Sequence, residues 1–120
     1  MYSVIAVFMG GGLGAVSRHF CNQYFRVDGF PMGTIVANVL ACFFLGFVLN
    51  MLGKQEPGNQ HLFFATGFCG GFSTFSTFGQ EIFEMGQGQL FAQAAFYASI
   101  SLLLGLIAIY LGGLLASLFQ

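Results

Sequence analysis

Apolar residues run along this 120-residue chain in blocks too long and too unbroken for half-buried strands or one-sided helices. A bilayer core needs about 20 mostly apolar residues per helix. Four stretches meet that requirement, at about 3–20, 32–52, 61–84 and 89–118. They lack the polar alternation of barrel strands and exceed their length. Polar and turn-forming residues collect between them: Asn22, Gln23, Arg26 and Asp28 before Gly29-Phe30-Pro31, then Lys54 to Gln60, then Gly86-Gln87-Gly88-Gln89. The pattern predicts an all-α membrane protein, one domain over 1–120 with four transmembrane helices. The fourth stretch exceeds one span, which predicts tilt or a bend.

The third block is the informative one. Gly67-Phe68-Cys69-Gly70-Gly71-Phe72-Ser73-Thr74-Phe75-Ser76-Thr77-Phe78 interrupts an uncharged, membrane-length segment with paired glycines, hydroxyls and phenyl rings. Lipid cannot hydrogen-bond a loosened backbone, so a broken third helix survives only inside protein or beside a water-filled path. Broken helices at mid-membrane are where transport proteins hold ions, with carbonyls for cations and helix N-termini for anions. A pore or transporter follows.

Composition narrows the class further. The chain is 57% hydrophobic and 6% charged, with a mean hydropathy of +0.82, against about 25% charged in a soluble domain. Net charge is −1, which leaves no basic patch for nucleic acid. Cys21, Cys42 and Cys69 form no CxxC pair and read as small packing residues. Met1-Tyr2-Ser3-Val4 lacks the basic start of a signal peptide, so the first block reads as a retained helix. No metal-spaced cluster, acid pair or nucleophile–base arrangement falls in a span, and an enzyme is not expected.

Small residues at four-residue spacing (Gly10 and Gly14, Cys42 and Gly46, Gly67 and Gly71, Ser101 and Gly105) predict close helix crossings. Orientation normally follows Lys and Arg in short loops. Arg18 and Arg26 sit toward one side, and Lys54 with the amino terminus on the other. Near-parity permits insertion in both directions, and hence an antiparallel two-fold dimer.

Individual polar residues each carry two readings. Asn38, one turn after Thr34 on the same face, is either an amide tie between helices or a donor to an anion. Arg18 shares a face with Gly11 and Gly14; it either snorkels or draws anions into a vestibule. Phe75 and Phe78 neighbour each other on a helix and either pack or present positive ring edges to an anion, with Ser73, Thr74, Ser76 and Thr77 between and beside them. Tyr97 and Ser101 either bond to backbone carbonyls or form a polar track. Glu81 and Glu84 stand near a span end, where glutamates are mostly wet; Glu84 is read that way, and His61 is read as interfacial.

Three strings together resemble the CrcB/Fluc fluoride-channel family. They are the third-span run above, Gly11-Gly12-Leu13-Gly14-Ala15-Val16-Ser17-Arg18 in the first span, and Gly33-Thr34-Ile35-Val36-Ala37-Asn38 in the second. The resemblance covers the whole chain. It implies an antiparallel, dual-topology homodimer of four-helix subunits in the cell inner (plasma) membrane, with two pores that let fluoride leave passively.

By that resemblance Phe75 and Phe78 line the pore and Asn38 is the amide that meets them. Ser76 and Thr77 supply hydroxyls, Arg18 is a basic residue near the pore mouth, and Tyr97 and Ser101 begin a polar track. A structural sodium ion at the dimer centre would take the backbone carbonyls of Gly70 and Ser73 from each subunit. Glu81 matches a vestibule acid in some relatives. Ser73 stands where threonine is common, and Gly105 and Ile109 stand where relatives often keep hydroxyls, so the track here is shorter. The competing readings are a proton-coupled exporter of the small multidrug type, which needs an acid embedded in the membrane, and a non-transporting packing subunit.

Overall fold

The computed structural model describes residues 1–53 and 58–120. Lys54, and with it one of the charges that bears on orientation, lies outside the described residues. So do Gln55, Glu56 and Pro57 of the second connection. Among the described residues the fold is all-helical, without strands.

Helix α1 (Tyr2–Tyr24) ends where Phe25 leaves helical geometry. A tight reversal follows, in which the Phe30 N–H donates to the Val27 carbonyl at 3.2 Å. Gly29 makes this possible with φ +79°, a conformation costly for any residue with a Cβ. Pro31 then caps α2 (Met32–Leu52). It lacks an N–H, and the first amides of a helix have no internal acceptor in any case. Helix α6 (Phe91–Ser117) is one unbroken helix of 27 residues. At 1.5 Å per residue it is about 40 Å long, more than a hydrocarbon core of about 30 Å. Its excess length therefore requires tilt or protrusion rather than a break.

The stretch predicted as the third span is not a single helix. It comprises α3 (Asn59–His61), a π-helical segment (Leu62–Cys69), α4 (Gly70–Phe72) and, after a gap, α5 (Ser76–Gln87). Asn59 and Gln60, read as loop, are already helical. Among the described residues three helices, α1, α2 and α6, are long and apolar enough to cross a membrane. The chain is thus a multi-pass membrane protein.

Helices pair as α2 on α6 and as α1 on the π-helical segment and α4, and α5 leans on α6. Glycines set these distances. A Cβ on Gly46 would run into the Ile109 carbonyl, and one on Gly112 into the Phe43 carbonyl. On the other pair, Gly10 and Gly14 face the backbone of Phe63 and Phe68, and Gly71 faces that of Gly11. With no hydrophobic drive between helices in lipid, such backbone-to-backbone approach is what lets dispersion contacts hold them. The fourth small-residue pair sits at the same crossing as Gly46, since Gly105 faces the Cys42 thiol. One buried cluster joins Ile35, Met85, Ala94 and Tyr97, and a second joins Ala37, Ala41 and Phe72. The helix break lies beside both.

Candidate functional site at the helix break

Helix α4 stops because Ser73 turns to extended geometry, with φ −74° and ψ 157°. The Ser73 N–H and hydroxyl both donate to the Cys69 carbonyl at 2.9 Å, which closes the last turn. Thr74 is then captured from across the bundle. Its N–H donates to Asn38 Oδ1 at 2.8 Å, while Asn38 Nδ2 donates to its carbonyl at 3.3 Å. Helix α5 restarts under the Thr74 hydroxyl, whose oxygen accepts the Thr77 N–H at 3.2 Å. An oxygen accepting from three residues on is the N-cap arrangement.

These diversions have a consequence for the carbonyls left behind. In a continuous α-helix the N–H of Thr74 would serve the Gly70 carbonyl and that of Thr77 the Ser73 carbonyl. Both donors are committed elsewhere. The Ser73 carbonyl instead accepts Arg18 Nη1 at 3.3 Å. Gly70 is exposed, and a Cβ added there would meet nothing within 4 Å. Gly70 and Ser73 also border a cavity of about 140 Å³, together with Ala41, Cys42, Ala65 and Cys69.

One turn below the break a second polar group is buried. Thr34 Oγ1 donates to Glu81 Oε1 at 2.7 Å, and the Tyr97 hydroxyl donates to Glu81 Oε2 at 2.5 Å. Thr34 is 1% exposed and Tyr97 0%, so this carboxylate is held between two donors inside the bundle. Rings continue the line. Phe78 lies 5.1 Å from Tyr97 between centroids, Phe30 meets Tyr97 edge-on at 5.8 Å, and Phe75 is 6.1 Å from Phe78.

The sequence-predicted residues divide accordingly. Asn38, Thr77, Phe75 and Ser76 gather at the break; the Ser76 hydroxyl reaches that of Thr74 at 3.5 Å, while the Asn38 amide is spent on Thr74. Phe75 is 84% exposed on the subunit, whereas Phe78 packs into the Tyr97 cluster. Tyr97 bonds to a carboxylate, not to a backbone carbonyl. Ser101, one turn on, has a buried hydroxyl oxygen without a partner among the described residues. Arg18 is half-buried and turned to the break rather than to open water. Glu84 is exposed and accepts from Gln80 Nε2. Glu81, likened in the sequence to a vestibule acid, is enclosed by Thr34 and Tyr97. Its spacing held a signal: it follows Thr77 and Phe78 by four and three residues, on the helical face that points inward.

Residues 5–113 match the family described as CrcB-like protein, Camphor Resistance (CrcB). A protein of Azobacteroides pseudotrichonymphae named "Fluoride-specific ion channel FluC" is 36% identical, over 97% of this chain and 97% of its own length. Proteins of the same name from Thermococcus onnurineus, 36% identical over 93% of this chain and 94% of theirs, and from Bacteroides fragilis, 34% identical over 100% of both, are similar to the same degree. On these matches, which run nearly end to end through the three long helices and the helix break, the chain belongs to the CrcB-like family.

Proposed function

We propose that this protein is a fluoride-selective passive channel of the plasma membrane that lets cytoplasmic fluoride leave the cell. Relatives of near-equal length carry the name of fluoride-specific channels. The observation in the fold that carries the reading is the run of rings and uncharged donors from Phe75 through Phe78 to Tyr97, beside Ser76, Thr77 and Thr34. Fluoride is small and holds its water strongly, so a path must offer many donors while binding each ion loosely. Positive ring edges and hydroxyls do this; fixed cations would trap the ion. The unpartnered Ser101 hydroxyl extends the donor line along α6.

In the same reading, the pieces from 59 to 87 make a fourth crossing, and two subunits pair antiparallel to give two pores in a single-domain, four-span architecture. The support is physical. Gly70 and Phe75, and with them Thr66 and Gly79, are exposed on the single subunit. A helix break with an open carbonyl cannot face lipid, so protein must cover this face. A second copy, inserted the other way, is the cover that the weak Lys/Arg bias permits.

The resemblance also implies sodium on the carbonyls of Gly70 and Ser73, and their fit is divided. No group of three His, Cys, Asp or Glu side chains converges among the described residues, so a hard cation would depend on oxygens of the backbone. The Gly70 carbonyl has lost its helical donor to Asn38. The Ser73 carbonyl accepts a guanidinium already, and a second cation would have to share that oxygen or displace Arg18. Permeation as proposed uses no step at the sodium site.

The deciding experiment places purified protein in liposomes and follows fluoride release with an electrode after a potassium ionophore is added, with chloride as control. Rapid fluoride release without chloride release is the expected result. Absence of release from a correctly folded dimer would refute the homodimeric channel and point to a missing partner chain or to proton-coupled export.

A further inference from the structure

We propose that Arg18 is a tethered cation for the helix break, which satisfies the Ser73 carbonyl from within the subunit before any free ion does. Among the carbonyls at the break, those of Gly70 and Ser73 lose their helical donors to identified acceptors. Asn38 Oδ1 takes the Thr74 N–H, and the Thr74 hydroxyl takes the Thr77 N–H. A buried carbonyl without a donor is costly, the more so where water is scarce. Arg18 Nη1 lies 3.3 Å from Ser73 O.

The placement of Arg18 is built rather than incidental. The guanidinium leaves α1 from the face that carries Gly10 and Gly14, the two glycines whose backbone contacts fix α1 against the π-helical segment and α4. The side chain is half-buried there. A guanidinium is always charged and donates in a fixed fork, so it can stand where a bound cation otherwise would. Arg18 is in this sense a positioning residue: it acts through the Ser73 carbonyl, and so through the extended geometry of Ser73 that ends α4 and starts the approach to α5. The break of one subunit is then ordered before sodium or a second subunit arrives.

The proposal rests on the channel reading only in taking sodium as the competing cation. Its test measures no fluoride flux, so failure of one does not imply failure of the other. The full-length protein and Arg18→Gln are compared by hydrogen–deuterium exchange across residues 73–79, in sodium buffer and in N-methylglucamine buffer of equal ionic strength. The native protein should show the same protection in both. Arg18→Gln should exchange about tenfold faster over 73–79 in N-methylglucamine, with that loss reversed by sodium and α2 and α6 unaffected.

Unchanged protection in Arg18→Gln without sodium would overturn the proposal. So would a loss spread over all helices that sodium does not reverse, because that is general destabilisation. Should Arg18→Gln fail to fold, Arg18→Lys decides. Its single ammonium should leave exchange over 73–79 at least threefold faster without sodium than with it, and exchange indifferent to sodium would sink the idea.

Discussion

Asn38 holds both backbone polar groups of Thr74, accepting its N–H at 2.8 Å and donating to its carbonyl at 3.3 Å. One side chain of α2 thereby replaces the two hydrogen bonds that a continuous helix would have given Thr74. The amide is suited to this because it is donor and acceptor at once, in a fixed plane. It decides where the third helical stretch comes apart.

Asn38→Asp tests that arrangement. A carboxylate still accepts the Thr74 N–H, but its second oxygen faces the Thr74 carbonyl and repels it. The subunit should lose roughly 1–3 kcal/mol, read as a lower thermal midpoint in detergent, and fluoride efflux from vesicles should fall with it. An aspartate variant that melts and conducts like the native protein would show that Thr74 has other support.

The buried group around Glu81 makes a separate prediction. Thr34 and Tyr97 both donate to its carboxylate, and removing either leaves part of an enclosed charge uncompensated. Tyr97→Phe should cost roughly 1.5–3 kcal/mol, the range for bonds to charged groups. Paired with Glu81→Gln the losses should not add, because both changes remove the same bond. A double-mutant cycle on unfolding in mixed micelles reads this directly, and strict additivity would refute the coupling.

Much of this architecture was legible before any coordinates. The second span, 32–52, coincides with α2, and α6 differs by a residue or two from the predicted fourth, because long apolar blocks bounded by Gly, Pro and polar residues admit few alternatives. The place of the break was legible as well, since paired glycines followed by Ser73 and Thr74 cannot hold a helix in lipid unaided. Its mechanics were not. Nothing in the residue types of Leu62–Cys69 distinguishes π-helical from α-helical bonding. Partners across the bundle, Asn38 with Thr74, Arg18 with Ser73 and Thr34 with Glu81, depend on helix rotation and crossing, which one-dimensional spacing does not encode. The two glutamates near the span end part for that reason: Glu84 is exposed as expected, whereas the rotation of α5 turns Glu81 inward.

The glycines at the crossing of α2 and α6 predict a graded series. Gly46→Ala and Gly112→Ala each drive a methyl into a backbone carbonyl, Ile109 and Phe43 respectively, and backbone cannot step aside as a flexible side chain can. Each should cost roughly 1–3 kcal/mol and reduce the yield of folded protein on size-exclusion chromatography. Gly105→Ala, whose methyl meets only the Cys42 thiol at 3.5 Å, should be tolerated. A reversed ranking would mean that the two helices cross elsewhere.

Phe75 and Phe78 separate stability from conduction because they stand in opposite surroundings on one helix end. Phe75 is 84% exposed on the subunit, so Phe75→Ile gives up little beyond its oblique ring contact with Phe78 at 6.1 Å, and its thermal midpoint should stay near that of the native protein. Phe78 stacks obliquely on Tyr97 at 5.1 Å and borders the Ile35–Met85 cluster. Phe78→Ile therefore forfeits the ring–ring contact, worth about 0.5–1.5 kcal/mol, and should melt earlier. If the ring edges line the fluoride path, both variants should slow efflux despite this difference in stability. Slowing in Phe78→Ile alone, in step with its melting, would mean that the ring matters only as packing. Unchanged efflux in both would remove ring edges from the mechanism and leave the hydroxyls of Ser76, Thr77 and Ser101 to carry the ion.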